Sequence, residues 1–384
     1  MSKLNTLPSL SDALDQNIAT PQQSEQNYRS APGISQSELK NLQYDPNKFF
    51  NKDWDKSRKE HFVLGSLVDC LLTTPDKFED LFFFIEEEKI PTQKLMKMAE
   101  IFIEQGMDIT LENLEVVRTH AGYNPTWGIA AVEKWFNSSA REYVELSLLN
   151  PDKTLATFKQ KEIAEKIVES FKTNEFTKLH FEERENILRF YQVEIYYNAL
   201  VKNPITNRTE EVACKGMLDM VEVDILNKTI LPIDIKTTGK PTRLFGESQK
   251  KYRYDIQAAS YTYGLQKLIA GEAESTLKLD LKEYTILPFL FLVETTIEEN
   301  IGTPLPYKMS EADMLCGYYG TNSFPKNVPA IYSNGVMLQI PASPGWFTLL
   351  EQYLWHRETE VFNYTPKEWY QLKQHGAIIS SIWN

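Results

Sequence analysis

The chain has little of what marks secreted, membrane or metal-cluster proteins. Its 384 residues include three cysteines, Cys70, Cys214 and Cys316, which are far apart and form no CxxC pair. This spacing disfavours a disulfide framework and a structural zinc site. The longest apolar run, from Ile286 to Val293, is too short to cross a bilayer, and residues 1–17 lack the apolar segment of a signal peptide. We therefore expect a cytoplasmic protein.

The chain also lacks an excess of basic residues. It has 41 Lys and Arg against 53 Asp and Glu, a formal net charge of -12. Proteins that coat nucleic acid are usually basic, so the charge argues against such a role. It does not exclude an enzyme that grips a few phosphates in a local basic channel. The length and the 42% hydrophobic fraction are those of a folded protein with a sizeable core, and no internal repeat is visible.

The chain divides by composition into a leader and one long folded region. Residues 1–30 are rich in Ser, Gln, Asn and Asp, which predicts a flexible leader. Ser35 and Glu38 have the spacing of a capping box, and the helix they begin should end before Pro46. We expect a single domain over residues 31–384, with a mainly helical part at 31–180, a catalytic core at 181–300 and a loop and helix extension at 301–384.

The predicted core is built from strands and one long helix. Apolar alternation predicts three strands, at Leu188–Tyr197, Val212–Val223 and Thr229–Thr237, the last two joined by a tight turn. Residues 239–251 read as a loop, Tyr254–Ile269 as a helix and Tyr284–Val293 as a buried strand. This order predicts an α/β core in which the helix returns the chain to place the last strand beside the third.

Two strands carry the residues with the most suggestive chemistry. Asp234 and Lys236 share one face of the third strand, because side chains alternate along a strand. Asp219 on the second strand could meet Asp234 across the hairpin, within about 5 Å. Two carboxylates and the backbone carbonyl of Ile235 suit Mg²⁺ or Mn²⁺. Lys236 could then orient a water or neutralise charge on a phosphate. The alternative is a surface carboxylate with a salt-bridged lysine, since short D-x-K strings are common by chance.

Two further acids are candidate metal ligands. Glu194 lies in the middle of the first strand, between Val193 and Ile195, and could equally face solvent. Asp69 lies in an apolar helix, where a charged residue requires a partner. That partner could be a cation or a neighbouring Lys or Arg.

The helix after the third strand offers polar groups to the same site. Gln257 and Tyr261 are four residues apart and so share a helix face. Gln257 could bond the scissile phosphate or the attacking water, and Tyr261 could contact DNA. A core tyrosine and an exposed glutamine are the alternative.

Basic and aromatic side chains could bind DNA. A possible phosphate clamp, or simply a solvated loop, is formed by Lys240, Arg243, Lys250, Lys251 and Arg253. Tyr123 and Trp127 could stack on a base, or form a packed aromatic corner.

Three segments together resemble the core of the PD-(D/E)XK nuclease superfamily: Cys214 to Asp219, Ile233 to Thr238 and Tyr254 to Tyr261. Within it, the chain is most similar to the exodeoxyribonuclease VIII-like group of phages and prophages. The segments Gly33 to Leu39 and Leu64 to Asp69 also match that group. The resemblance covers roughly residues 30–295.

This resemblance implies a restriction-endonuclease-like fold, with a central mixed β-sheet flanked by helices and an N-terminal helical part. It implies a Mg²⁺-dependent exonuclease, with Mn²⁺ also possible, that degrades double-stranded DNA from its ends. Such enzymes pass the single-stranded tail to an annealing protein, often form rings, and work in the cytoplasm of a bacterial host cell. By position, Asp219 and Asp234 would be metal ligands and Lys236 the catalytic lysine, with Gln257 and Tyr261 on the following helix.

One position departs from the pattern. The group usually has a histidine where this chain has Asp69, and an oxygen ligand suits a hard cation at least as well. Metal preference and activity are therefore open. The iron–sulfur version of the fold needs four cysteines and is disfavoured here. Two other functions remain: a DNA-binding or assembly module with a degenerate site, and an endonuclease that uses the same site.

Overall fold

The computed structural model describes residues 28–52, 60–122, 128–321, 331–333, 336–338 and 343–378. These form two compact units, one within Met1–Ser57 and Ser170–Asn384 and the other within Arg58–Glu169. In the described ranges, no helix has both the length and the apolar character to cross a membrane. Most of the predicted leader, and Tyr123 and Trp127, lie outside the described residues.

The helices and strands are numbered here in chain order. The helices are α1 (Gln36–Leu42), α2 (Pro46–Asn51), α3 (Glu60–Thr73), α4 (Phe78–Leu81), α5 (Gln93–Gln105), α6 (Leu111–His120), α7 (Ile129–Ser139), α8 (Arg141–Leu149), α9 (Phe158–Thr173), α10 (Phe245–Tyr252), α11 (Tyr254–Ile269), α12 (Glu311–Tyr319), α13 (Trp346–Thr359) and α14 (Pro366–His375). The strands are β1 (Ile34–Ser35), β2 (Phe82–Ile85), β3 (Thr154–Thr157), β4 (Ile187–Lys202), β5 (Thr209–Asp224), β6 (Thr229–Thr238), β7 (Ala273–Ser275), β8 (Thr285–Ile286), β9 (Leu290–Thr295), β10 (Leu305–Lys308), β11 (Ile331–Ser333) and β12 (Val336–Leu338).

The first unit is built on a mixed sheet. Its strand order is β10-β9-β6-β5-β4-β7, with β8 also pairing with β6 and β1 with β5. Strand β5 is antiparallel to β4 and β6, whereas β9 is parallel to β6. The predicted α/β core with a central mixed sheet flanked by helices is confirmed, and β9 lies beside β6 as expected.

The capping box predicted at the start of α1 is present. The Ser35 backbone N–H donates to Glu38 Oε2 at 2.8 Å, and the Glu38 N–H donates to Ser35 Oγ at 3.3 Å. These bonds satisfy donors that a helix N-terminus otherwise leaves without partners. The helix buries Leu39 and Leu42 in the core of the sheet unit. Because α1 packs in the first unit, the second unit, within Arg58–Glu169, covers fewer residues than the helical part predicted at 31–180.

Two predicted segments differ from the structure. Residues 239–251 are not a loop: a short 3-10 turn leads into α10, because Phe245 is 1% exposed and packs on the rings of Phe291 and Tyr307. The apolar run predicted as one strand is split into β8 and β9, with Pro288 between them. Proline has no N–H to give to the ladder, so it interrupts pairing.

Each unit has its own apolar core. In the first, α11 packs on β4 and β5 and places Ile256, Ala258 and Leu265 in the core. In the second, α5 to α8 enclose a separate cluster that includes Phe102 and Phe136. Asp219, Asp234, Lys236 and Gln257, described below, all lie in the first unit.

Candidate active site

The candidate site lies where the sheet forks. Along one edge, β5 pairs with β4 from Asp224 to Thr209, except at Asp219. On its other edge, β5 pairs with β6 from Asp224 to Met220, and with β1 at Lys215 and Cys214. Residues 216–219 of β5 therefore lie in the gap where β6 ends its pairing and β1 has not yet begun.

Asp219 holds the fork together. Its carboxylate Oδ2 accepts a hydrogen bond from the backbone N–H of Ile235 at 2.9 Å, taking over where the β5–β6 ladder stops. The pairing of β4 with β5 is also interrupted opposite Asp219, at Gln192. Gln192 has a φ of 50°, a left-handed conformation that is uncommon for a residue with a side chain. Strands β4 and β6 therefore both depart from regular pairing with β5 at Asp219.

Asp234 is the most buried acid of the site. It is 1% exposed, its Oδ1 accepts a hydrogen bond from Gln257 Nε2 at 2.6 Å, and its Oδ2 forms an ion pair with the Lys236 ammonium. An isolated buried carboxylate would be strongly disfavoured, so these two partners keep it in place.

Lys236 carries a firmly held positive charge. Burial works against the charge, but the carboxylates of Asp234 and Asp219 outweigh it and raise the pKa of Lys236 above its ordinary value. Its Nζ also lies 5.1 Å from the centre of the Tyr254 ring, within the range of a cation–π contact. The ammonium is thus charged at neutral pH and lies beside both acids.

The donor set fits a hard divalent cation. Within one strand residue the N–H and C=O point to the same edge, so the Ile235 carbonyl faces the fork along with its N–H. Two carboxylates and a carbonyl are the oxygen ligands that Mg²⁺ takes, and it commonly uses only one or two protein carboxylates. Among the described residues, no group of three or more His, Cys, Asp or Glu side chains is arranged to hold a metal.

The two predicted helix residues are both buried in α11. Gln257 is 6% exposed, and its amide is bound to Asp234. Tyr261 is 7% exposed and packs its ring over Gly216 of β5, where an added Cβ would approach Tyr261 Cδ1 to 2.9 Å. Tyr261 therefore joins the helix to the strand segment inside the fork.

Glu194 lies on β4, close in the ladder to the position of Asp219 on β5. It pairs across the ladder with Met217, two residues from Asp219 on β5. Its Oε2 accepts a hydrogen bond from the Tyr196 hydroxyl at 2.6 Å, and the residue is 7% exposed. Asp69 lies on α3 in the second unit, half-buried. Its role as a ligand stays a prediction.

The basic residues predicted to bind DNA divide into two kinds. Arg243, Lys250 and Lys251 are exposed along α10 and the turn before it. Lys240 and Arg253 instead form ion pairs within the chain, with Glu247 at 2.6 Å and with Asp255 at 2.8 Å.

Sequence reasoning missed two lysines that shape the site. Lys40 donates to the Tyr252 carbonyl at 3.1 Å, and burial, followed by the nearby charge of Lys236, lowers its pKa to about 8. Lys215, 3% exposed, donates to the carbonyls of Tyr28, Arg29 and Ala31. No local signal indicates that contact.

Comparisons with known proteins give little. No protein-family model matches the chain, and no curated protein matches it. A solved structure from Eubacterium rectale, provisionally named an exonuclease, is similar over 80% of each chain, at 11% identity and a TM-score of 0.37. A likeness at that level carries no argument about this chain, and the site must be judged on its own geometry.

Proposed function

We propose that this protein is a divalent-metal-dependent exodeoxyribonuclease that hydrolyses phosphodiesters of linear double-stranded DNA. One observation carries the proposal: Asp219 and Asp234 face one fork of the sheet, and the charged Lys236 lies beside them. Two acids and a half-buried lysine on adjacent strands add little net stability, because an apolar strand pair would be at least as stable, so this cluster points to a role beyond folding.

Each side chain has a separate task in this proposal. Asp219, Asp234 and the Ile235 carbonyl would hold a Mg²⁺ or Mn²⁺ ion. When bound, such an ion supplies Lewis-acid polarisation of the phosphodiester and a water activated at neutral pH. Gln257 fixes the orientation of the Asp234 carboxylate through its amide. Lys236 offers its ammonium to the charge that develops on the phosphate in the transition state.

The wider setting belongs to the same proposal. The sequence resemblance suggests phage-type recombination, in which the enzyme supplies single-stranded tails to an annealing protein and works as a ring-shaped oligomer. Glu194 and Asp69 are further candidate ligands.

The test is release of label from end-labelled linear duplex DNA, with Mg²⁺ or with a chelator. We expect release that needs Mg²⁺ and falls at least about 100-fold in Asp234→Asn, since the loss of one group that stabilises the transition state costs about that much. Glu283→Gln is the matched control. Glu283 is an exposed acid that pairs with Lys228 at the far turn of the same hairpin, so its loss should leave release unchanged.

Two outcomes would favour the other functions. Binding of duplex without any metal-dependent release would indicate a DNA-binding or assembly module. Cleavage of covalently closed circular DNA as fast as linear DNA would indicate an endonuclease, because an exonuclease needs an end.

A further inference from the structure

A pair of tyrosines connects the site lysine with the protein surface. The Lys236 ammonium lies 5.1 Å from the centre of the Tyr254 ring, and that ring lies 5.8 Å from the ring of Tyr252. Tyr252 is 50% exposed, and the Lys251 ammonium lies 5.1 Å from its centre. A continuous row of contacts therefore runs from the site to solvent, in the order Lys236, Tyr254, Tyr252 and Lys251.

The corner that presents Tyr252 is tied to the rest of the unit by several polar contacts. Tyr252 ends α10 and Tyr254 begins α11, with Arg253 between them at a φ of 53°. The Arg253 guanidinium grips both carboxylate oxygens of Asp255, at 3.0 and 2.8 Å, and also bonds the Ser343 hydroxyl. Lys40 donates to the Tyr252 carbonyl. Contacts from α1, from α11 and from Ser343 thereby hold the backbone that carries the exposed ring.

The surroundings of the ring suit a polyanion. Lys250 and Lys251 are exposed in the last turn of α10, and Lys40 lies against the same corner from α1. Single exposed aromatic residues are common and need no explanation by themselves. Here the ring is flanked by ammonium groups in an acidic protein, and it contacts the Tyr254 ring that lies against the site lysine.

We propose that Tyr252 is a stacking platform for an unpaired nucleobase of the DNA strand that enters the site. The inference rests on the proposed function. Inside a duplex both faces of a base are covered by its neighbours, so a ring at the surface stacks on a frayed or single-stranded base. Such stacking tolerates any sequence, because every base has a π-face, and the lysines on either side hold the phosphates.

The test is binding of a labelled oligo-dT of about 12 nucleotides, a length within the range of single-strand binding sites. Fluorescence anisotropy is measured in chelator, so that no cleavage occurs. Tyr252→Ala should weaken binding about 10-fold, whereas Tyr252→Phe, which keeps the ring, should bind like the wild type. Tyr364→Ala removes another exposed ring, on the segment before α14, and should leave binding unchanged.

An abasic oligonucleotide of the same length separates stacking from charge. It keeps the phosphates but offers no base, so the Tyr252→Ala and wild-type proteins should bind it equally. Equal weakening on both oligonucleotides, or no weakening on oligo-dT, would overturn the inference.

The binding experiment and the nuclease assay can refute the two proposals separately. If wild-type protein releases no label with Mg²⁺ but loses oligo-dT affinity in Tyr252→Ala, the nuclease proposal fails and the stacking platform stands. If it releases label normally and Tyr252→Ala binds and cleaves like the wild type, the platform is wrong and the nuclease stands.

Discussion

At the scale of single residues, the site is an electrostatic balance around one buried acid. Asp234 has Lys236 and Gln257 as its partners and almost no access to water. A buried pair of this kind adds little to stability, yet the loss of one member leaves an uncompensated charge. Lys236 therefore has a structural task as well as the catalytic one that we propose.

We predict that Lys236→Gln lowers the free energy of unfolding by about 3–5 kcal/mol, because Asp234 loses its counter-charge. Added Mg²⁺ should raise the Tm of this variant more than that of the wild type, since a bound cation supplies the missing positive charge. Calorimetry with and without Mg²⁺ measures both effects. The double variant with Asp234→Asn should recover most of the loss, and a double variant as unstable as the single would contradict this balance.

Lys236 also determines how the stability of the folded protein changes at high pH. Its pKa is raised above the ordinary value of 10.5, so its stabilising contribution is complete below that pH and is lost as the pH rises through the higher value of the folded state. The stability gap between wild type and Lys236→Gln should accordingly be flat from neutral pH to about pH 10 and shrink above it.

At the scale of elements, the site depends on a sheet whose pairing is incomplete. Strand β6 leaves β5 at Met220, and β1 joins the same edge only at Lys215. The Asp219 side chain fills part of the gap by accepting the Ile235 N–H. The acid at the fork is therefore a structural link and a candidate ligand at once.

Two substitutions of Asp219 separate these roles. Asp219→Asn keeps an oxygen that can accept the Ile235 N–H, so unfolding in urea should change by about 1 kcal/mol or less. Asp219→Ala leaves that N–H without its partner and should cost about 1–3 kcal/mol. Both should lose DNA cleavage. If both variants lose the same free energy of unfolding, the hydrogen bond to Ile235 does not stabilise the fork. If Asp219→Asn cleaves DNA as fast as the wild type, Asp219 is not a metal ligand.

The sequence predicts the helices and strands better than it predicts the contacts between them. The bounds of α11 agree with the prediction, because no proline interrupts the segment between Tyr254 and Ile269. Strand β6 is also as expected, and its alternation correctly places Asp234 and Lys236 on one face. The ion pair between them could thus be anticipated from spacing alone.

Other parts of the site could not be predicted because they depend on distant segments. Nothing near Asp219 reveals that β1 pairs with β5, and without that pairing there is no fork. Residues 239–251 look like a polar loop because α10 buries little beyond Phe245 and Ser248. The place of Lys40 beside Tyr252 likewise depends on packing between α1 and α10.

At the scale of the whole molecule, function must be reconciled with a net charge of -12. Such a chain repels DNA at long range, so binding must come from local groups. The exposed lysines of α10, together with Lys40 and Lys236, form one basic corner next to the fork. DNA affinity that depends on a few such phosphate contacts falls as salt rises.

The most direct test of the account is where manganese binds. Crystals of the 384-residue chain are soaked with Mn²⁺, and anomalous scattering locates the ion. We predict a peak between the carboxylates of Asp219 and Asp234, next to the Ile235 carbonyl, and no peak there in crystals of Asp234→Asn. A fully soaked wild-type crystal with no ion between the two aspartates, or with those carboxylates too far apart to share one, would contradict the proposed metal site and the nuclease built on it.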